Sequence, residues 1–157
     1  MEDDIIIVKK ECLEVKHKCE HHLFEYFKYE VNKTFDSSKF KIAIYEIPPK
    51  KISYPYHYHL KNEEAFYIIS GKGLLKTHDS ERVVTKGDII VCPPSEKGAH
   101  LLQNTSDTEL LTYIEFDICY YPEVIVYPNT NKIGVFEDKD KKLIFDKSSS
   151  IGYYDKE

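Results

Sequence analysis

From Phe40 to Phe116 the hydrophobic pattern has a period of two, and the segments it defines are cut every few residues by glycine, proline or aspartate. Side chains two residues apart share a face of an extended strand, whereas a helix repeats at 3.6 residues, so this pattern confines the chain to short strands. Phe40, Ile42 and Ile44 alternate with Lys41, Ala43 and Tyr45 until Pro48-Pro49, which cannot continue a ladder. Further strands are predicted over 53–59, 64–70, 73–78, 81–85, 89–92, 99–103 and 109–116. Between them lie Gly71-Lys72-Gly73, Asp79-Ser80, Lys86-Gly87-Asp88 and the loop Pro93-Pro94-Ser95-Glu96-Lys97-Gly98. Seven or eight such strands predict an all-β sandwich or barrel, antiparallel and almost without helix.

The barrel is expected over residues 40–127. Residues 1–39 form an N-terminal extension, within which 21–29 has the composition of an added outer strand. Residues 128–157 form a tail that packs on or beside the barrel, with Leu143, Ile144 and Phe145 following the charged run Asp138-Lys139-Asp140-Lys141-Lys142. Nothing in the composition marks a linker. A chain of 157 residues fits one domain, which at this size buries ~68–70% of its unfolded surface and folds without a disulfide or a metal. Any metal is then expected to serve function.

Lysine and arginine number 22 against 27 aspartates and glutamates, a net charge of −5 with no long block of one sign. Duplex nucleic acid demands a concentrated basic face, so no nucleic-acid partner is expected. No apolar run approaches the ~20 residues of a membrane helix; Ile5-Ile6-Ile7-Val8 is among the longest. The acidic start, residues 1–4, lacks the basic character of a secretory signal. Cys12, Cys19, Cys92 and Cys119 form no C-x-x-C pair. Together these predict a cytoplasmic protein. Thirteen tyrosines and open strand edges predict a homodimer.

Four residues carry the chemistry. His57 and His59 project from one face if their strand is extended, residues 60–63 can turn the chain so that Glu64 opens the adjacent strand, and His100 opens another after a loop. Three imidazoles and a carboxylate converging inside a barrel suit one divalent transition metal ion (Mn, Fe, Ni, Zn or Cu), because neutral imidazole is a strong donor and the carboxylate offsets part of the charge. An octahedral ion would keep two positions for water and substrate; tetrahedral zinc would be closed and structural.

His57-Tyr58-His59, four residues, Glu64, six residues and Gly71 follow the first cupin motif, H-x-H-x(3,4)-E-x(6)-G. Gly87, five residues, Pro93, and later His100, three residues, Asn104 follow most of the second, G-x(5)-P-x-G-x(2)-H-x(3)-N. The chain thus resembles a single-domain cupin. That resemblance implies a double-stranded β-helix, or jelly roll, with short terminal extensions, and implies His57, His59, Glu64 and His100 as metal ligands. Three positions depart from the family: Lys51 and Ser95 stand where glycines are common, and the loop before His100 is longer, with Gly98 as its neighbouring glycine. The stretches Glu63-Glu64-Ala65-Phe66, Lys86-Gly87-Asp88 and Val126-Tyr127-Pro128-Asn129 resemble a bacterial subgroup, some members of which are named sugar-phosphate isomerases.

Alternation places Phe66 and Ile68 inward with Glu64, and Leu102 inward with His100, which predicts a largely apolar pocket wall for a small-molecule ligand. Tyr45, Glu46, Tyr113 and Glu115 are candidate general acids or bases among which parity does not choose, so no catalytic residue is assigned. Asn104 and Asp88 read as turn residues, and Gly71, Gly87 and Gly98 as turn glycines with positive φ. Cys12, His17, Cys19, His21 and His22 crowd together, but their spacing is not that of a common zinc site and an edge strand or turn explains them. The function expected is metal-dependent isomerase or dioxygenase chemistry on a small metabolite; the alternative is a noncatalytic module that binds or senses a small ligand on the same barrel.

Overall fold

The computed structural model describes residues 5–34 and 39–155, and the expectation drawn from residues 1–4 lies outside them. Among the described residues there are thirteen strands and no α-helix: β1 (Val15–His21), β2 (Phe24–Glu30), β3 (Phe40–Ile47), β4 (Tyr58–His59), β5 (Glu64–Ser70), β6 (Lys72–Lys76), β7 (Glu81–Thr85), β8 (Ile89–Cys92), β9 (Leu101–Asn104), β10 (Leu111–Ile118), β11 (Glu123–Tyr127), β12 (Lys132–Phe136) and β13 (Lys142–Asp146). They form a six-stranded sheet, β1-β2-β3-β10-β5-β8, opposed by a three-stranded sheet, β7-β6-β9, and a four-stranded sheet, β13-β12-β11-β4. Every ladder between these strands is antiparallel. The all-β fold expected from the alternation is what the chain adopts.

The inner faces follow the two-residue period. Ala43, Tyr45 and Ile47 of β3, Phe66 and Ile68 of β5, and Leu111 and Tyr113 of β10 are buried against Leu75, Val84 and Leu102 from the three-stranded sheet. This apolar plug fills one end of the barrel. At the other end, where the four-stranded sheet faces β3 and β10, charged and polar side chains mix with apolar ones and leave a cavity. The outer face of the six-stranded sheet carries two apolar rows in register across four strands. One is Ile42–Phe116–Ala65–Val91 and the other Ile44–Ile114–Tyr67–Ile89.

Several boundaries differ from the sequence reading. The strand expected over 53–59 shrinks to Tyr58–His59, because Pro55 has no N–H for a ladder and disfavours regular pairing before it. The strand expected at 109–116 begins at Leu111 instead, since Glu109 belongs to a turn: its carbonyl accepts from Asn104 Nδ2 and its N–H donates to Ser106 Oγ. The added strand expected over 21–29 is two strands, β1 and β2, forming a hairpin, and Leu143, Ile144 and Phe145 lie on β13, paired with β12.

Gly71 and Gly87 do have positive φ, at 86° and 95°. Gly98 does not; it is needed for close approach, since a Cβ there would lie 1.8 Å from Pro93 O. The left-handed residue of that loop is Ser95, at φ 91°, the position where the motif carries glycine. Asp88 caps its turn by accepting from Thr85 N at 2.7 Å. Asn104, fully buried, donates to Ile47 O and Glu109 O and accepts from Ser106 N.

Candidate metal centre

His57 and His100 are tied backbone to backbone, each N–H donating to the other's carbonyl at 3.1 and 2.9 Å. This isolated bridge links the end of the irregular segment after Pro55 to the entry of β9, and it brings the two imidazoles to 4.7 Å between centroids. His59 is held by the pairing of β4 with β11, opposite Ile125. Glu64 opens β5, flanked in register by Cys92 of β8 and Asp117 of β10. Thus four residues spread over 44 positions of sequence arrive at one point, with His57, Glu64 and His100 buried and His59 nearly so.

Each imidazole has its Nδ1 turned to an acceptor. His57 Nδ1 lies 2.8 Å from Pro55 O, His100 Nδ1 2.9 Å from Gly98 O, and His59 Nδ1 3.4 Å from Glu123 Oε1. A proton held at Nδ1 leaves the lone pair on Nε2. All three Nε2 atoms then point at one carboxylate: His59 Nε2 is 3.2 Å from Glu64 Oε1, while His100 and His57 Nε2 are 3.2 and 3.8 Å from Oε2. Both ring nitrogens of His59 and Glu64 Oε2 are buried with no hydrogen-bond partner of acceptable geometry. A buried unpaired polar atom costs about 1–3 kcal/mol; a cation here accounts for His59 Nε2 and Glu64 Oε2, while His59 Nδ1 faces Glu123 Oε1 at 3.4 Å. One donor atom each from His57, His59 and Glu64 lies within 4.8 Å of the others, and the mixture of imidazole and carboxylate fits a divalent transition ion.

The electrostatics describe the same competition for positive charge. Burial, reinforced by His100, pushes the His57 imidazole down to about 4, keeping it neutral. At His59 burial acts in that direction too, but Glu123 and Glu64 outweigh it and raise the ring to about 10. Burial would raise the Glu64 carboxyl, and His59, His100 and His57 instead bring it down to about 2.

Beside these residues opens a cavity of about 210 Å³. Its wall is mixed: Ile118, Ile125 and Phe136 and several tyrosines share it with charged side chains that were not expected. Phe66, Ile68 and Leu102 do point inward, but they belong to the plug, Phe66 packing edge-on beneath His100 at 5.3 Å. The open side is built from β2, β3, β10, β11 and β13, which supply Lys28, Lys41, Tyr45, Glu115, Asp117, Glu123, Tyr127 and Lys142. Parity counted from Glu64 and His100 describes only their own strands, and that is why the polar wall was missed. Asp117 and Lys41 were within reach of the same argument, two residues from the inward Glu115 and Ala43 respectively. Glu123, Tyr127, Lys28 and Lys142 carry no local signal, since only the sheet order brings their strands to the cavity.

The structure also sorts the candidate acids and bases. Tyr45, Tyr113 and Glu115 face inward, whereas Glu46 faces out to accept from Tyr29 Oη and pair with Lys10. Tyr45 stacks on Tyr113 at 5.1 Å, and its hydroxyl is 3.0 Å from that of Tyr54. Burial, then Asp117 and Glu64, hold the Glu115 carboxyl well above the usual range. Burial and Glu64 raise Asp117 as well, against the pull of Lys41 at 3.2 Å.

The histidine–cysteine group near the N-terminus lies on an edge strand, as expected. β1 is exposed throughout, Cys12 sits in the turn Lys10–Cys12, and the rings of His21 and His22 pack together at 4.3 Å. His17 and Cys19 gather with Glu25 of β2, where His17 is satisfied by a 3.1 Å contact to Glu25 and by stacking on Phe27.

Residues 43–116 match the family described as the cupin domain. An uncharacterized protein of Methanocaldococcus jannaschii is 35% identical over 66 residues, 42% of this chain, and the match spans 48% of that protein's length. Among solved structures, a protein from Acidithiobacillus ferrooxidans provisionally named a sugar phosphate isomerase superposes with a TM-score of 0.78 at 22% identity, covering 90% of each chain. A sugar phosphate isomerase of the cupin superfamily from Silicibacter pomeroyi superposes with a TM-score of 0.81 at 16% identity, covering 96% of this chain and 98% of its own. At these identities the superpositions speak to the fold. With the match over residues 43–116 and the motif residues gathered there, they support a cupin domain in this chain.

Proposed function

We propose that this chain is a metal-dependent enzyme that moves a proton on a small hydroxy-carbonyl metabolite, with His57, His59, Glu64 and His100 holding one divalent transition ion. The observation that carries this reading is the convergence of three Nε2 atoms on the Glu64 carboxylate while each Nδ1 faces a fixed acceptor. Bound there, the ion supplies Lewis-acid polarisation of a substrate oxygen. The chain supplies the rest. Pro55 O, Gly98 O and Glu123 orient the imidazoles. Glu115, inside the wall beside Glu64 and kept protonated by burial, holds a proton on its carboxyl, and the Tyr45–Tyr54 hydroxyl pair gives the wall a hydrogen-bonding edge. A buried carboxyl that holds a proton suits the proton transfers of isomerisation, which is the reading taken here over dioxygenation. The names of the two structural relatives point the same way.

The test is metal analysis of protein purified without chelator, followed by isomerisation and oxygen-uptake assays with the ion restored. Turnover that disappears in Glu115→Gln with metal content unchanged supports the reading. A tightly retained small ligand with no turnover across the panel would replace it with a binding module. We further propose a cytoplasmic setting, consistent with four free cysteines, and a homodimer formed through the apolar outer rows of the six-stranded sheet.

A further inference from the structure

Three lysines enter the cavity wall from outside the residues that match the cupin family: Lys28 on β2, Lys41 on β3 and Lys142 on β13. Lys28 and Lys142 come from strands that flank the matched region on either side, yet both reach the same wall. Two of the three have carboxylate partners. Lys41 Nζ is 3.2 Å from Asp117 Oδ2, and Lys28 Nζ is 3.2 Å from Glu30 Oε1. Lys142 is different: its Nζ stands 5.0 Å over the Phe136 ring, and among the described residues it has no ion pair. It lies on an exposed strand, and its ammonium is depressed by desolvation where it enters the wall and by the charges of Lys41 and Lys28.

Three like charges brought to one wall are mutually destabilising. An anion among them reverses that effect. Lys41 is paired with Asp117, Lys28 shares Glu30 with Lys16, and Lys142 is left over. Of the acids in the same lining, Asp117 is engaged by Lys41, Glu123 accepts from the Leu60 and Lys61 N–H groups, and Glu64 is turned to the histidines. The same cavity, about 210 Å³, runs from these lysines to His57, His59 and Glu64, so one small molecule spans both.

We infer that Lys28, Lys41 and Lys142 form a subsite for the anionic group, carboxylate or phosphate, of a small substrate whose other end reaches His57, His59 and Glu64. This rests on the proposed function and names its substrate class. It also gives the strands flanking the matched region a task, which is to recognise charge beside a centre that the cupin motifs provide.

The experiment uses the full chain, stripped with chelator so that no ion can recruit the probe, titrated calorimetrically with inorganic phosphate and, separately, acetate. Wild-type protein is expected to bind at least one, and the preferred anion tells phosphate from carboxylate. Lys142→Gln should weaken that binding about tenfold or more, while Lys142→Arg, which keeps the charge, should retain it. Lys28→Gln repeats the test from another strand should the β13 variant fold poorly. No binding of either anion by wild type, or unchanged binding in both glutamine variants, overturns the subsite. Metal content is measured on the same proteins: loss of anion binding in Lys142→Gln with a wild type that never holds metal would retain the subsite and remove the enzyme reading.

Discussion

Glu64, on the six-stranded sheet, and His100, at the entry to the opposite three-stranded sheet, meet at 3.2 Å, Oε2 to Nε2, while the far nitrogen of the same ring is held at 2.9 Å by Gly98 O. The contact joins two walls of the barrel through one side-chain pair. The backbone bridge between His57 and His100 fixes where the imidazole sits, so the geometry does not depend on a ligand to assemble it. His57→Ala combined with His59→Ala should therefore abolish metal binding and leave a folded barrel, read as metal content by mass spectrometry beside circular dichroism and a cooperative melt. Glu123→Gln, which touches only His59 among the histidines, should retain metal with affinity lowered about 10–100-fold. Unfolding of the double variant would mean that the metal is structural, against the functional role proposed.

Protonation gives a second expectation, with opposite signs at neighbouring rings. In metal-free protein His57, at about 4 against an ordinary 6.5, adds stability that is complete above 6.5 and lost as pH falls toward 4. Glu64, at about 2 against 4.5, behaves similarly, its contribution fading as pH falls from 4.5 toward 2. His59, at about 10 against 6.5, adds stability complete below 6.5 and lost as pH rises through 10. The melting temperature of chelator-treated protein should then peak near 6.5 and decline on both sides. Loading metal at about pH 7.5 should expel the His59 proton, about one per ion, measurable by calorimetry in buffers of different ionisation heat. A flat melting profile across this range, together with no proton release, would remove His59 from the ligand set.

The fold was legible in the sequence because alternation is a short-range rule, whereas His100, which joins His57 through a bridge across the chain, was marked only by the resemblance to the cupin motifs. Period-two alternation decides which face Glu64, Phe66 and Ile68 share, and His57-x-His59 lies in one short extended stretch. The polar half of the cavity was not legible for the opposite reason. Lys28 reaches it only because β2 pairs with β3 so that Lys28 faces Tyr45, and Lys142 only because β13 completes the four-stranded sheet. Pairing partners far apart in sequence leave no local trace. Ser95 and Gly98 lie between these cases: the motif marks the loop as unusual, but only the backbone shows that the strained residue is the serine and the crowded one the glycine.

That loop gives a paired expectation. Ser95 sits at φ 91° and ψ 171°, a region in which a side chain costs of order 1–3 kcal/mol. Ser95→Gly should stabilise the protein by about 1 kcal/mol after allowing for the added freedom of the unfolded chain. Gly98→Ala should do the reverse. Its Cβ would meet Pro93 O at 1.8 Å, and any shift of the loop moves the carbonyl that orients His100. Metal affinity should fall with stability, by about 10–100-fold, since a supporting contact of a ligand is disturbed. Denaturant titration and metal competition read the two effects; a neutral Gly98→Ala would show that the loop is not under this constraint.

The outer rows predict assembly. Phe40, Tyr67, Ile69, Ile89, Val91, Phe116 and Ile118 share the outer face of β3, β10, β5 and β8 at 36 to 73% exposure. Taking ~150–200 Å² for a side chain of this size, they offer roughly 500–700 Å², close to the ~800 Å² that each partner gives to a standard interface. Ile89 and Val91, the most exposed of the seven, lie on β8, the edge of the sheet, where an uncovered apolar strand is open to pairing. A second copy presenting the same rows covers both face and edge. Ile89→Lys with Val91→Lys should then convert a dimer to a monomer in light scattering without loss of metal, because both side chains point away from Glu64 and the cavity. A wild-type monomer at micromolar concentration would end this reading of the outer face.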